Sequence, residues 1–119
     1  MTGTITSPND LGEGDWRKTN PRFLPENFDH NKRLVDHLKQ LAERKGCSVA
    51  QLALAWVISR GTDMFPIPGT KKMKYLLENI AATEISFTPE ELSEIDRVAP
   101  AGIAFGDRYT AAGMQAVHR

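Results

Sequence analysis

Phe65-Pro66-Ile67-Pro68-Gly69-Thr70-Lys71-Lys72-Met73-Lys74 is the stretch on which the fold turns. The apolar run Met64-Phe65-Pro66-Ile67 follows a turn and is the best strand candidate in the chain. Pro66 counts against a central strand, because it donates no ladder hydrogen bond. Gly69-Thr70 then opens a helix whose first residues include Lys71, Lys72 and Lys74. Free N–H groups at a helix start bind anions, phosphates most often. Cations there oppose the helix dipole and gain little until an anion arrives. An exposed lysine is usually only solubilising and Gly-Thr before a helix often only a turn, so the spacing by itself leaves phosphate binding as the lesser of two readings.

Downstream, Met73, Leu76, Leu77 and Ile80 stand at i, i+3, i+4 and i+7, one apolar helical face. Glu84-Ile85-Ser86-Phe87 alternates weakly. Thr88-Pro89-Glu90-Glu91 starts another helix with a cap, a proline at the first position and an acid at the third. Leu92, Ile95 and Val98 form its buried side, and Pro100 ends it.

Upstream, a helix is expected from about Asn27 to Lys45, capped by Asn27 or Asp29. Leu34, Val35, Leu38, Leu41 and Ala42 form its stripe, and Gly46 suits the left-handed position past its end. Ser48-Val49-Ala50-Gln51 has the capping-box pattern, and the helix it opens runs through Leu52-Ala53-Leu54-Ala55-Trp56-Val57-Ile58 to Gly61. That helix is apolar all round and wants cover on nearly every side. Residues 1–24 and the tail from Ala101 read as irregular, with Thr4-Ile5-Thr6 as a short extended stretch at most. The order is helix, helix, strand, helix, helix. One strand makes no sheet, so its partners are expected from outside these residues.

Composition narrows the classes. The 119 residues carry 15 Lys plus Arg against 15 Asp plus Glu, and this neutral balance argues against nucleic acid or an anionic membrane as the main partner. A 40% hydrophobic, 25% charged chain is globular rather than disordered. The single Cys47 excludes an internal disulfide framework. The longest nearly apolar run, Val49 to Ile58, is far short of the ~20 residues of a membrane span. The start, MTGTITSPNDLGEGD, has no signal-peptide pattern, so a cytoplasmic location is expected.

No complete catalytic constellation is present. Gly12-Glu13-Gly14-Asp15-Trp16-Arg17 mimics a dinucleotide fingerprint but lacks its third glycine and a preceding strand. His30 and His37 lie about 10 Å apart along a helix, too far to chelate one metal. With His118 in the tail no ligand spacing remains, so solvated histidines and no metal site are expected. Cys47 has no base beside it. Glu90, Glu91 and Glu94 suit the dipole of a first turn better than catalysis. Trp16, Phe105 and Tyr109 fall in loops, where they line a pocket or pack at an edge.

Taken in order, the segments Asn20-Pro21-Arg22-Phe23, Glu26-Asn27-Phe28, Ser48 through Val57, Pro66-Ile67-Pro68-Gly69-Thr70, Leu77-Glu78-Asn79 and Leu92 through Asp96 resemble the C-terminal third of an aldo-keto reductase, in the bacterial-type branch with I-P-G-T at the last strand. The likeness covers essentially the whole chain. It implies an α/β fold, the C-terminal portion of a (β/α)8 TIM barrel, mostly helical here with one strand. Residues 1–119 would be a partial NADP-dependent oxidoreductase domain lacking its N-terminal half, since such a barrel takes about 250 residues. By resemblance, Gly69, Thr70, Lys71 and Lys72 approach the 2′-phosphate of NADPH, and Glu78 and Asn79 reach the adenine. Two positions depart from the I-P-K-S branch: Gly69 replaces its lysine and Tyr75 its arginine, so Lys71, Lys72 or Lys74 must take over.

The family's Asp, Tyr, Lys and His tetrad has no counterpart in these residues, and its pyrophosphate-binding turn would lie upstream of Met1. The expected function is therefore the adenosine end of a carbonyl reductase's cofactor site, with a small carbonyl substrate in the full-length protein and no activity in this chain alone. The alternative is a free-standing helical interaction or nucleotide-binding module without catalysis, with the apolar Val49–Ile58 helix facing a partner.

Overall fold

The computed structural model describes residues 5–117. Thr4, in the extended stretch considered above, and His118 lie outside the described residues. Among the described residues five α-helices follow one another: α1 Pro25–Lys45, α2 Val49–Ile58, α3 Met73–Ala81, α4 Pro89–Val98 and the single turn α5 Ala111–Met114. Short 3₁₀ turns at Pro8–Asp10, Trp16–Thr19, Pro21–Phe23 and Ala82–Glu84 fill much of what reads as irregular sequence.

The expected portion of an α/β barrel is not what these residues form: the described residues contain helices and turns, and no strand. Met64–Ile67 runs as irregular chain, with Phe65 80% and Ile67 96% exposed. The physical reason is local. A strand is held by a neighbour's N–H and C=O groups, no second extended segment here pairs with it, and Pro66 and Pro68 remove two of its own donors. The Glu84–Phe87 segment likewise pairs with nothing as a strand.

The helix ends follow the sequence closely. Ser48 Oγ accepts the Gln51 N–H at 3.2 Å while Gln51 Oε1 accepts the Ser48 N–H at 3.0 Å. Thr88 and Glu91 make the same reciprocal pair at 3.2 and 2.8 Å. Gly46 sits at φ +70° just past α1, where only glycine is free of Cβ strain. The start of α1 differs from expectation. It begins at Pro25, with Asn27 inside the helix and its Nδ2 donating to the Pro21 carbonyl at 2.8 Å.

The chain divides into two compact units, and α1 passes from one to the other. The first comprises the described residues up to Asp36 together with those from Pro100. It is tied by polar side chains reaching backbone. Asn20 Nδ2 donates to the Arg108 carbonyl at 3.1 Å, Arg22 Nε to Gly106 at 3.3 Å, and the His30 Nε2–H to Ile103 at 3.0 Å. Asn31, fully buried, donates to the carbonyls of Arg22 and Phe105 and accepts the Phe105 N–H. Gly106, at φ +84°, lies so close to Pro21 that a Cβ would stand 2.6 Å from its carbonyl oxygen. Leu11, Phe28 and Val35 supply the buried apolar side chains.

The second unit, His37–Ala99, has an apolar centre of Leu41, Ala42, Leu52 and Ile95, with Leu38, Cys47, Val49, Trp56 and Phe87 packed around it. Arg44 pairs with Glu94 at 2.7 Å and Lys45 with Glu91 at 2.6 Å, linking the end of α1 to α4. Arg60 pairs with Asp96 and lies over the Trp56 ring, 4.3 Å from its centroid. Helix α2 is covered only in part: Leu52 and Ala55 are buried, Leu54 and Trp56 to Ile58 half-buried, and Ala53 alone of its residues exposed.

Helix α3 turns its apolar face outward. Met73, Leu76, Leu77 and Ile80 are 68%, 42%, 59% and 56% exposed. The half-buried residues are Glu78 and Asn79, and Gln51 Nε2 donates to the Glu78 carbonyl at 3.1 Å, fixing that side of α3 against α2. The apolar stripe faces solvent.

Candidate nucleotide-binding site

The residues singled out at the start of α3 all belong to the second unit. Lys72 occupies the cap position with extended backbone, and no side chain caps the helix. The Thr70 hydroxyl is turned onto Lys72: it accepts the Lys72 N–H at 3.3 Å and donates to the Lys72 carbonyl at 3.2 Å. The first helical bond runs from Leu76 N–H to the Lys72 carbonyl. The N–H groups of Met73, Lys74 and Tyr75 therefore lie before the helix's own acceptors begin.

Charge accompanies those donors. Lys71 and Lys72 are exposed and make no ion pair among the described residues, and Lys72 Nζ lies 6.0 Å from the Tyr75 ring centroid. Lys74 Nζ stands 4.0 Å from Glu78 Oε1, on a side chain 78% exposed. Uncapped N–H groups beside two unpaired ammonium groups fit a phosphate dianion, which satisfies donors and cations together. Gly69 is open, and a Cβ there would meet nothing within 4 Å. Glu78 and Asn79 lie on the α2 side of α3, about 9 Å along the axis from Lys72. Glu78 is one-third exposed at its side chain, so its carboxylate remains reachable.

The other sequence candidates resolve into structure. Asp15 accepts the Arg17 N–H at 3.0 Å and binds the Arg17 guanidinium at 2.6–3.2 Å; the guanidinium, followed by the backbone bond, holds its carboxyl down to about 2. An anion already occupies that loop, so Gly12–Arg17 is no phosphate cradle. Glu90 is lowered by the helix-start N–H and the Thr88 hydroxyl, and Glu91 first by Lys45 and then by the Thr88 N–H. Glu94 is held by Arg44. These carboxylates cap and bridge. Burial pushes the Cys47 thiol up, away from the reactive thiolate.

His30 is not the solvated residue expected. Its ring stacks on Phe105 with centroids 3.6 Å apart and planes 13° from parallel. Trp16, Phe105 and Tyr109 are 67%, 50% and 47% exposed, at edges rather than in a core. Among the described residues no cluster of three or more His, Cys, Asp or Glu is placed to hold a metal, and no helix is long and apolar enough to cross a membrane. The ties made by Asn20, Arg22, Asn27 and Asn31 escaped the helical pattern. For Asn27 and Asn31 the available signal was a polar side chain at i−8 and i−4 from Val35, in line with the stripe of α1; Asn20 and Arg22 lie ahead of that helix.

Comparison with known proteins shows the family of the sequence. The sequence model of the Aldo/keto reductase family matches residues 1–100, and the chain belongs to that family. It is 38% identical over 109 residues to the aldo-keto reductase yakc [NADP(+)] of Schizosaccharomyces pombe, covering 92% of this chain and 32% of that protein. It is 36% identical over 117 residues to the aldo-keto reductase str7 of Strobilurus tenacellus, covering 98% of this chain and 35% of that one. The chain thus spans about a third of the length of the curated relatives it matches.

Proposed function

We propose that this chain is the C-terminal part of an NADP-dependent aldo-keto reductase and binds the adenosine end of the nicotinamide dinucleotide. Lys71 and Lys72, with the N–H groups at the start of α3, take the 2′-phosphate; Gly69 leaves room for it; Thr70 holds the backbone of Lys72 in place. Glu78 and Asn79 serve the adenine. The single observation that carries this is the uncapped start of α3 beside two unpaired lysines. The name of the fission-yeast relative, which specifies NADP(+), agrees with it. When bound, the cofactor supplies hydride for reduction of a small carbonyl compound. The residues present bind and orient, and nothing among them donates the proton that an alkoxide needs.

Titration of the chain with 2′-phospho-AMP and with AMP tests this. Tighter binding of the 2′-phosphorylated ligand, lost in Lys71→Glu/Lys72→Glu, is the expected result. Equal affinity for the two ligands overturns the assignment. The isolated chain should not oxidise NADPH with any aldehyde above a buffer control.

A second reading, an interaction module without chemistry, is favoured by one observation: the outward apolar face of α3. The partner surface then lies on α3, not on the better-covered α2.

A further inference from the structure

We infer that residues 20–31 form a peptide-binding surface whose resident ligand is the chain's own tail, and that a Phe-Gly segment presented by another protein takes the same place. Both sides of the contact belong to the first unit. Five hydrogen bonds hold the tail: Asn20 to the Arg108 carbonyl, Arg22 to Gly106, His30 to Ile103, and Asn31 to both backbone groups of Phe105. Each of these ends on tail backbone, which any sequence carries.

Two further features read the identity of the ligand. The Phe105 ring stacks on His30 with centroids 3.6 Å apart. A Cβ at Gly106 would stand 2.6 Å from the Pro21 carbonyl oxygen and 2.9 Å from Asn27 Nδ2, and the backbone there has φ +84°. Only glycine meets both conditions. The ligand is thus a non-helical segment carrying Phe-Gly.

The surface is separable from its ligand because bonds within residues 20–31 orient it. Asn20 Oδ1 accepts the Arg22 N–H at 3.0 Å, and Asn27 Nδ2 donates to the Pro21 carbonyl at 2.8 Å. Asn31 Nδ2 also donates to the Arg22 carbonyl at 3.0 Å. None of these three bonds involves the tail, and His30 and Asn31 ride on the continuous helix α1. A receptor fixed by its own bonds loses little freedom on binding. Main-chain bonds then supply affinity, while the ring and the glycine supply specificity. Tethered in cis, the tail acts at an effective concentration in the millimolar range. An incoming segment therefore enters most readily where the tail's own grip is weakened.

A fluorescent peptide spanning Gly102–Tyr109, titrated with the full chain, tests this. Against Gly106→Ala, whose own tail no longer fits, it should bind with a dissociation constant on the order of 100 µM. Against the parent chain it should bind about tenfold more weakly or worse, since the tethered tail competes. Phe105→Ala, which removes only the ring stack, should fall between the two, and it carries the same comparison if Gly106→Ala loses its helical circular dichroism. Adding Asn31→Ala to either variant should abolish binding, as should Gly106→Ala within the peptide. No binding to either tail variant at about 1 mM peptide overturns the proposal. So does equal binding of the alanine-bearing peptide, or binding that is strongest to the parent chain. The nucleotide reading concerns the second unit, and its test with 2′-phospho-AMP stands or falls separately.

Discussion

Asn31 and Phe105, 74 residues apart, exchange two hydrogen bonds: Asn31 Oδ1 accepts the Phe105 N–H at 2.8 Å and its Nδ2 donates to the Phe105 carbonyl at 2.9 Å. The side-chain amide thus substitutes for a strand neighbour, giving the tail a donor and an acceptor at one point. It has no exposed surface, so water cannot replace either bond.

Asn31→Ala should therefore destabilise the first unit by about 2 kcal/mol, since backbone groups of Arg22 and Phe105 lose a fully buried partner. Amide exchange of Phe105, slow in the parent, should become fast. Retained protection would show that the tail is held by something else.

Two glycines of similar backbone separate strain from crowding. Gly102, at φ +83°, has open space where a Cβ would go, whereas Gly106, at φ +84°, would drive one into the Pro21 carbonyl. Gly102→Ala should lower stability by about 1 kcal/mol, the left-handed penalty alone. Gly106→Ala should cost clearly more in a denaturant titration, and release the tail.

Acid should loosen the junction of α1 and α4. Glu91 titrates below its ordinary value of 4.5, chiefly because of Lys45 and next the Thr88 N–H. A folded-state value lowered in this way adds stability in full above about pH 4.5, and the gain disappears as pH falls through the lowered value. The melting temperature of the second unit should hold near neutrality and drop on acidification. Lys45→Met should flatten that drop, and Thr88→Ala should remove about 1 kcal/mol of cap at neutral pH.

Introducing the basic residues of the I-P-K-S branch should strengthen the proposed nucleotide site. Gly69 has room for a side chain, and Tyr75, 47% exposed, stands beside Lys72. Gly69→Lys with Tyr75→Arg should tighten 2′-phospho-AMP about tenfold, roughly 1.4 kcal/mol, and steepen its salt dependence. An unchanged affinity would place the phosphate elsewhere.

Local signals were legible in the sequence because local chemistry decides them. Ser48 with Gln51, Thr88 with Glu91, and Gly46 each act within one turn of chain, and each does in the structure what its pattern implies. The strand at Met64–Ile67 failed because a strand is a property of two segments, and no segment among the described residues pairs with it. For α3 periodicity gave the apolar side but not the surface each side meets, and α2 engages the side carrying Glu78. At the candidate site the pattern located the lysines and the helix start. It did not anticipate that Thr70 would spend its hydroxyl on the Lys72 backbone.

Cys47 gains a use from its place beside Leu41, Ala42, Leu52 and Ile95. It is the sole thiol of the chain, half covered and raised in pKa by burial. A thiol-reactive dye should consequently label the protein only as fast as that cluster breathes. Labelling kinetics become a stopwatch for local opening, with the timer already installed at the joint between α1 and α2.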